Sequence, residues 1–330
     1  MGSSDGSRHP VAIVGSRIDH AHCYVRDLEG AVGLFTRVLG IQFTAPFDLE
    51  GMRLCTSRLG IEIAAPTAPD SPIRRTLELA GGRAEQGIFR LCLVVEDLPR
   101  ALAHFRSRGL RIFREIELPG IAHEVQFDPR DSFGIALQLG VWGPRLAEVE
   151  ADGLRRGAVW CPAPVRRPLA FLEERIDHVH CRVDDLDAAI AFFTDLLGTP
   201  FTAPYAIEAW QTRVSISSIG MELNQVTGVG PVHAAEIAER GPRHVARLCF
   251  SLTNLDEAVA HCESLGLRIL RRIEIPEIAR EVQLDPRDSC GIGLQLGEWG
   301  PRYREVTRAG LAAGARGADN PLRAAPKVGA

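Results

Sequence analysis

The chain has 330 residues, of which 45% are hydrophobic and 24% charged, enough apolar material for more than one ordinary domain core. A formal net charge of -4 gives no broad attraction for nucleic acid or an anionic membrane. No apolar run reaches the ~18–20 residues of a spanning helix, and MGSSDGSRHP lacks a hydrophobic signal core, so a soluble, cytoplasmic protein without nucleic-acid or membrane partners is expected.

Residues 1–14 read as a flexible N-terminus, and the first folded unit spans 15–145. IDHAHCYV is a short alternating strand, followed by the helical stretch DLEGAVGLFTRVLG with Leu28, Val32, Phe35 and Leu39 on one face and Gly40 as its stop. IQFTAPF, GMRLCTSRL and GIEIAAP read as strands separated by turns. The order then repeats: FRLCLVVED is a strand, LPRALAHFRSRG a helix ending in Gly109, and RIFREIEL, HEVQFDP and GIALQLG are strands. DPRDS reads as a turn with Asx-type capping. Two β-α-β-β-β modules result.

Residues 146–172, with the Pro-rich VWCPAPVRRPLAF from Val159, read as a linker. The whole unit then returns over 173–305, and 306–330 read as a flexible tail. RIDHAHCYVRDLEGAVGLFTRVLG from Arg17 recurs as RIDHVHCRVDDLDAAIAFFTDLLG from Arg175, and EVQFDPRDSFGIALQLG as EVQLDPRDSCGIGLQLG. A repeat this long is a domain rather than a solenoid turn. Four modules make up an α+β chain of two tandem domains.

The duplication pairs His20 with His178, His22 with His180, Glu62 with Glu222, and Arg90 with Arg247. Side chains at i and i+2 of a strand share a face, so each His-x-His points two imidazoles the same way. Glu62 lies between Ile61 and Ile63, and Glu222 between Met221 and Leu223. A carboxylate in an apolar strand needs compensation, which a metal ion provides. Two imidazoles and one carboxylate leave positions open on iron, cobalt, nickel, manganese or zinc for substrate oxygens. The eight cysteines include no C-x-x-C pair; Cys23, Cys92, Cys181 and Cys249 read as small buried thiols in strands.

The IDH-x-x-x-x-V-x-D-L opening, the helix ending in LG and the GIEI or GMEL strand resemble the vicinal oxygen chelate superfamily, which includes glyoxalase I, methylmalonyl-CoA epimerase, extradiol dioxygenases and bleomycin-binding proteins. DPRDSFGIALQL and DPRDSCGIGLQL look like the closing segment of the epimerases. The resemblance implies that paired modules curl into a cupped mixed sheet whose concave face holds a divalent metal. It assigns ligands to His20 and His178 and to Glu62 and Glu222. It also implies a His in the first strand of the second module and a Glu in the last, where this chain has Arg90 and Arg247, and Gln138 and Gln295. Glutamine ligates through its carbonyl oxygen and arginine not at all. Either His22 and His180 supply the missing nitrogen or the set is incomplete. The arginines then clamp a carboxylate, phosphate or enolate, or pair with a neighbouring Glu.

The expected chemistry is metal-dependent isomerisation or epimerisation by proton abstraction beside a carbonyl, on an acyl-CoA or a small cyclitol-like hydroxyketone. Glu50 and Glu208, just before the third strand of each domain, are the expected bases by resemblance to the epimerases. The second copy carries the richer polar set, with Arg182, Asn224, Arg280 and Trp210 near its ligands, whereas His123 has no matching histidine. Two other classes are an Fe(II) extradiol-type dioxygenase and a noncatalytic small-molecule binder with Trp210 and Phe47 as stacking residues. Pairing of the ligands within or across domains is open, and a homodimer is compatible with each reading.

Overall fold

The computed structural model describes residues 9–68, 71, 73, 86–228 and 230–315. Residues 1–8 and 316–330, most of the two expected flexible termini, lie outside the described residues.

The first sheet contains β1 (His20–Tyr24), β2 (Phe47–Leu49), β3 (Met52–Thr56), β4 (Ile61–Pro66), β5 (Gly87–Val94), β6 (Ile112–Leu118), β7 (Ala122–Phe127) and β8 (Ala136–Trp142). Its spatial order is β2-β3-β4-β1-β5-β8-β7-β6. The second contains β9 (His178–Arg182), β10 (Tyr205–Ile207), β11 (Thr212–Ile216), β12 (Met221–Val226), β13 (His244–Leu252), β14 (Ile269–Ile275), β15 (Ala279–Leu284) and β16 (Gly293–Trp299), in the order β10-β11-β12-β9-β13-β16-β15-β14. Both are the curled mixed sheets expected of the tandem α+β reading. The first strands of the two modules, β1 and β5, meet antiparallel at the centre, each flanked by the parallel last strand of its own module.

The helices are α1 (Leu28–Leu39), α2 (Leu98–Ser107), α3 (Leu146–Trp160), α4 (Leu186–Leu197), α5 (Pro231–Arg240), α6 (Leu255–Ser264) and α7 (Tyr303–Ala315). Local signals set their ends. The Asp27 carboxylate accepts from Gly30 N at 3.0 Å at the start of α1, and Gly40 takes the left-handed φ of 67° that closes it. Asp185 and Gly198 repeat both devices around α4. Leu28, Val32, Phe35 and Leu39 are buried, as their spacing predicts.

Strand alternation divides the polar from the apolar. Ala21, Cys23, Leu91, Leu93, Val125, Leu137 and Leu139 join the helices in a core continuous through both halves. The alternate residues His20, His22, Arg90, Gln126 and Gln138 lie on the other, concave face. The helical layers meet reciprocally: His104 Nε2 lies 3.2 Å from Asp195 O, and His261 Nε2 lies 3.0 Å from Arg37 O.

Two segments differ from expectation. The stretch read as a linker begins with helix α3, and the stretch read as a tail begins inside α7. Each folds back on its own domain: Ala45 N donates to Gly153 O at 2.9 Å, and Ala203 N to Gly310 O at 3.1 Å. The approach requires glycine, because a Cβ at Gly157 would stand 1.9 Å from Phe43 O and one at Gly314 would stand 2.0 Å from Phe201 O.

Candidate metal centres

Each cup gathers a two-histidine, one-carboxylate triad from its central strands. His22 is the register partner of Glu62 across the parallel β1–β4 pair, and His180 of Glu222 across β9–β12. One donor atom from each of His20, His22 and Glu62 lies within 4.8 Å of the others, and the same holds for His178, His180 and Glu222. In the first cup His20 Nε2 and His22 Nε2 are 2.9 Å apart, and His22 Nδ1 is 2.8 Å from Glu62 Oε1. In the second, His178 Nε2 lies 3.1 Å from His180 Nε2 and 3.7 Å from Glu222 Oε2. Both centres are therefore built within one sheet, not across the two domains.

The donor set fits a divalent ion. Two ligands at ~2.1 Å from one ion and at right angles stand about 3 Å apart, close to the Nε2–Nε2 separations of 2.9 Å and 3.1 Å in the two histidine pairs. Orientation is fixed from behind: His178 Nδ1 is 2.7 Å from Asp177 Oδ1 and His20 Nδ1 is 2.8 Å from Asp19 Oδ2, leaving each Nε2 toward the triad. Trp299 Nε1 donates to Asp177 Oδ2 at 3.1 Å and its ring stacks on His178.

The charges agree. Burial disfavours protonation of His178, but contact with Cys249 and Asp177 and the charge of Glu222 outweigh it and raise its pKa well above the usual value. His180 moves well below that value, through burial and then through the charges of His178, Arg247 and Arg182. His22 is lowered to about 4, chiefly by burial. Glu62 is held down at about 2: burial, the largest single influence, opposes its charge, and the His22 contact with the charges of His22, His20 and Arg90 together outweigh it. In each cup one imidazole of the pair is raised and the other lowered, so the two differ in their hold on a proton.

The other expected residues separate. Gln138 and Gln295 are buried, but their Oε1 atoms accept from Gln126 at 2.9 Å and Gln283 at 2.8 Å. Among the ligand alternatives, the second histidines rather than these glutamines join the triads. Cys92 and Cys249 are free and buried, as expected, and Cys92 is the register partner of His20. Arg90 is buried on the concave face. Arg247 pairs with Glu236 of α5 at 3.4 Å, and Arg182 with the same carboxylate at 3.1 Å. Trp210 lines the second cup.

Three expectations are corrected. Glu50 is exposed and ion-paired with Arg114, and Glu208 is exposed and does not line the second cup. The hairpins that carry them sit at the sheet edges. Arg280 projects to the opposite face from Glu281, exposed and paired with Asp256 at 2.5 Å. His123 likewise pairs with Glu115 at 2.7 Å, and Phe47 is exposed.

The carboxylates that do face the triads are Glu124 and Glu281, on β7 and β15. Burial raises each to about 7, against the opposing charge of the neighbouring histidine. Glu124 also has an oxygen within 4.8 Å of donors on His20 and Cys92. The signal was present in sequence: HEVQF and REVQL each alternate an acid and an amide with apolar residues. The second cup is enclosed by Tyr205, Trp210 and, from α7, Tyr303 and Val306.

Comparison with known proteins agrees with this architecture. The family model described as Glyoxalase/Bleomycin resistance protein/Dioxygenase superfamily matches residues 17–139 and again 175–296. The mitochondrial methylmalonyl-CoA epimerase of Homo sapiens is 25% identical over 130 residues, covering 37% of this chain and 72% of its own. In fold, the chain is similar to a mutant 4-hydroxymandelate synthase from Streptomyces coelicolor, with TM-score 0.62, 14% identity, and coverage of 93% of this chain and 99% of that one. BphC, a halotolerant catechol dioxygenase, matches with TM-score 0.57 at 12% identity over 88% of each chain. Matched twice over most of its length, the chain belongs to this superfamily, also known as the vicinal oxygen chelate superfamily, as a tandem pair of its domains.

Proposed function

We propose that the protein is a divalent-metal-dependent isomerase or epimerase that moves a proton on the carbon beside a carbonyl, with the second cup as its working site. The observation that carries this reading is the convergence of His178, His180 and Glu222 with the half-buried carboxyl of Glu281 in one pocket. An ion held by those three donors supplies positive charge beside a bound carbonyl oxygen.

The remaining work falls to side chains. Glu281, with a pKa near 7, takes the proton at a carboxylate oxygen and remains able to give it back. Tyr205 lies on β10, toward the opposite edge of the sheet from β15. Burial and then the charges of Glu222 and Glu281 push its phenol well above the usual value, so it stays protonated and serves as donor to the other face; exchange with solvent after product leaves takes the proton off Glu281 and returns one to the phenolate. Tyr303 and Val306 keep water from the carbanionic carbon. The family membership, and the likeness to an epimerase over one domain, support this class of reaction. The substrates are hydroxyketones or acyl thioesters.

The test is solvent exchange. Purified protein, loaded in turn with each candidate metal, is incubated with α-hydroxyketones and acyl-CoA esters in deuterated water. Deuterium at the carbon beside the carbonyl, lost in His178→Ala and Glu222→Ala together with bound metal, is the expected result. No exchange in any metal-loaded sample overturns the proposal. A two-histidine, one-carboxylate set also favours a second reading as an Fe(II) dioxygenase, for which oxygen uptake with catechols is the distinguishing result.

A further inference from the structure

The second cup differs from the first along one wall. At the register position where the first cup sets Tyr24 beside Ala64, the second sets Arg182 beside Asn224. Arg182 and Arg247 are only 6% and 5% exposed, and Arg271 completes the wall with its guanidinium 5.1 Å from the Trp210 ring centre. A single carboxylate answers them. Glu236 lies 3.1 Å from Arg182 and 3.4 Å from Arg247, with His244 Nε2 at 3.5 Å.

The arithmetic leaves an excess. Three guanidinium groups, Arg182, Arg247 and Arg271, face one carboxylate, so two positive charges have no counter-ion in the wall. Glu222 is turned elsewhere, to His180 at 3.3 Å and to Asn224 Nδ2 at 2.9 Å. Among the described residues, Arg182 Nη1 and Arg247 Nε are buried without a hydrogen-bond partner, and Arg271 makes no ion pair. Desolvated cations with unused donors are costly unless an anion joins them. Guanidinium groups suit carboxylate and phosphate oxygens in particular.

We infer that Arg182, Arg247 and Arg271 form a binding site for an oxyanion of the substrate, a carboxylate or a phosphate, with Glu236 as the internal strut that holds two of the arginines in place. The site lies in the same pocket as His178, His180 and Glu222. Resting on the reaction class proposed above, this narrows the substrate to a bifunctional molecule: a carbonyl at one end and an anionic group at the other. The first cup has Arg90 and Arg114 at the positions of Arg247 and Arg271 but Tyr24 in place of Arg182, so it lacks one of the three guanidinium groups.

The test is calorimetric titration of the full chain with inorganic phosphate and, separately, with malonate, at ionic strength fixed by chloride. One saturable site in the second half is expected, and the tighter of the two probes identifies the preferred oxyanion. Arg271→Gln, at a side chain that stands over the Trp210 ring, should fold normally and weaken binding about tenfold or more. Arg280→Gln, outside the pocket, should leave it unchanged. No saturable binding of either probe, equal affinity in Arg271→Gln and the unaltered protein, or equal losses in Arg271→Gln and Arg280→Gln would each overturn the inference. Metal content measured on the same samples separates the two proposals. Metal without anion binding removes this inference alone, and anion binding without metal removes the metal reading alone.

Discussion

Asp177 and His178, neighbours in the chain, meet side chain to side chain at 2.7 Å, while Trp299 from the far end of the domain holds the other carboxylate oxygen at 3.1 Å. The arrangement fixes which imidazole nitrogen faces the triad. Asp177→Asn should therefore leave circular dichroism unchanged and weaken metal affinity by about 10–100-fold. Competition against a chelator measures the effect; unchanged affinity would mean that His178 is not a ligand.

Metal and proton compete for the same nitrogen. The His178 pKa is raised in the metal-free fold. The resulting stabilisation is fully present below the ordinary histidine value of about 6.5 and is lost as pH rises through the folded value. Metal must displace that proton, so affinity should climb about tenfold per pH unit above about pH 6 until the folded value is passed. Metal titrations at several pH values report the slope, and a flat profile contradicts the assignment.

Glu281 provides the opposite sign. Its carboxyl is raised from 4.5 to about 7 by burial. A raised acid is harmless below its unfolded value and costs stability as pH rises through the folded one, by as much as roughly 3 kcal/mol. Glu281→Gln should make the chelator-treated protein more resistant to denaturant near pH 8 than the unaltered protein, with no gain near pH 4. Exchange activity should fall about 10²–10⁴-fold with metal content retained. A variant that keeps its exchange rate excludes Glu281 as the proton carrier.

Gly157→Ala and Gly314→Ala should each cost about 1–3 kcal/mol of overpacking, because the new methyl meets a backbone carbonyl rather than a side chain that can turn away. Denaturant melts of the two variants test whether both helices are integral to their domains. Wild-type stability in both would contradict the packing.

What was legible followed from local rules acting on a duplicated pattern. Asp27 and Gly40 set the ends of α1 through capping and a left-handed φ, and i, i+2 spacing alone put His178 and His180 on one face. Side-chain direction also explains the misses. Arg280 and Glu281 are adjacent, so only one enters the cup, and sequence offered no reason to prefer the acid until the register of β15 against β16 was known. The resemblance to the epimerases points to Glu50 and Glu208 through their place just before a strand, and that place carries no information about how far an edge hairpin lies from the centre. Glu236 lies outside the duplicated strands and helices that the sequence pattern picks out, and its partners Arg182 and Arg247 arrive from β9 and β13. The Pro-rich run after α3 masked a helix whose packing depends on Gly157, a residue that helix propensity counts against.

Because every donor to a cup comes from the sheet that forms it, neither half borrows chemistry from its twin. The two halves already differ at one such position, where β1 carries Tyr24 and β9 carries Arg182. A single gene thereby carries two independently adjustable vessels on a shared hydrophobic keel.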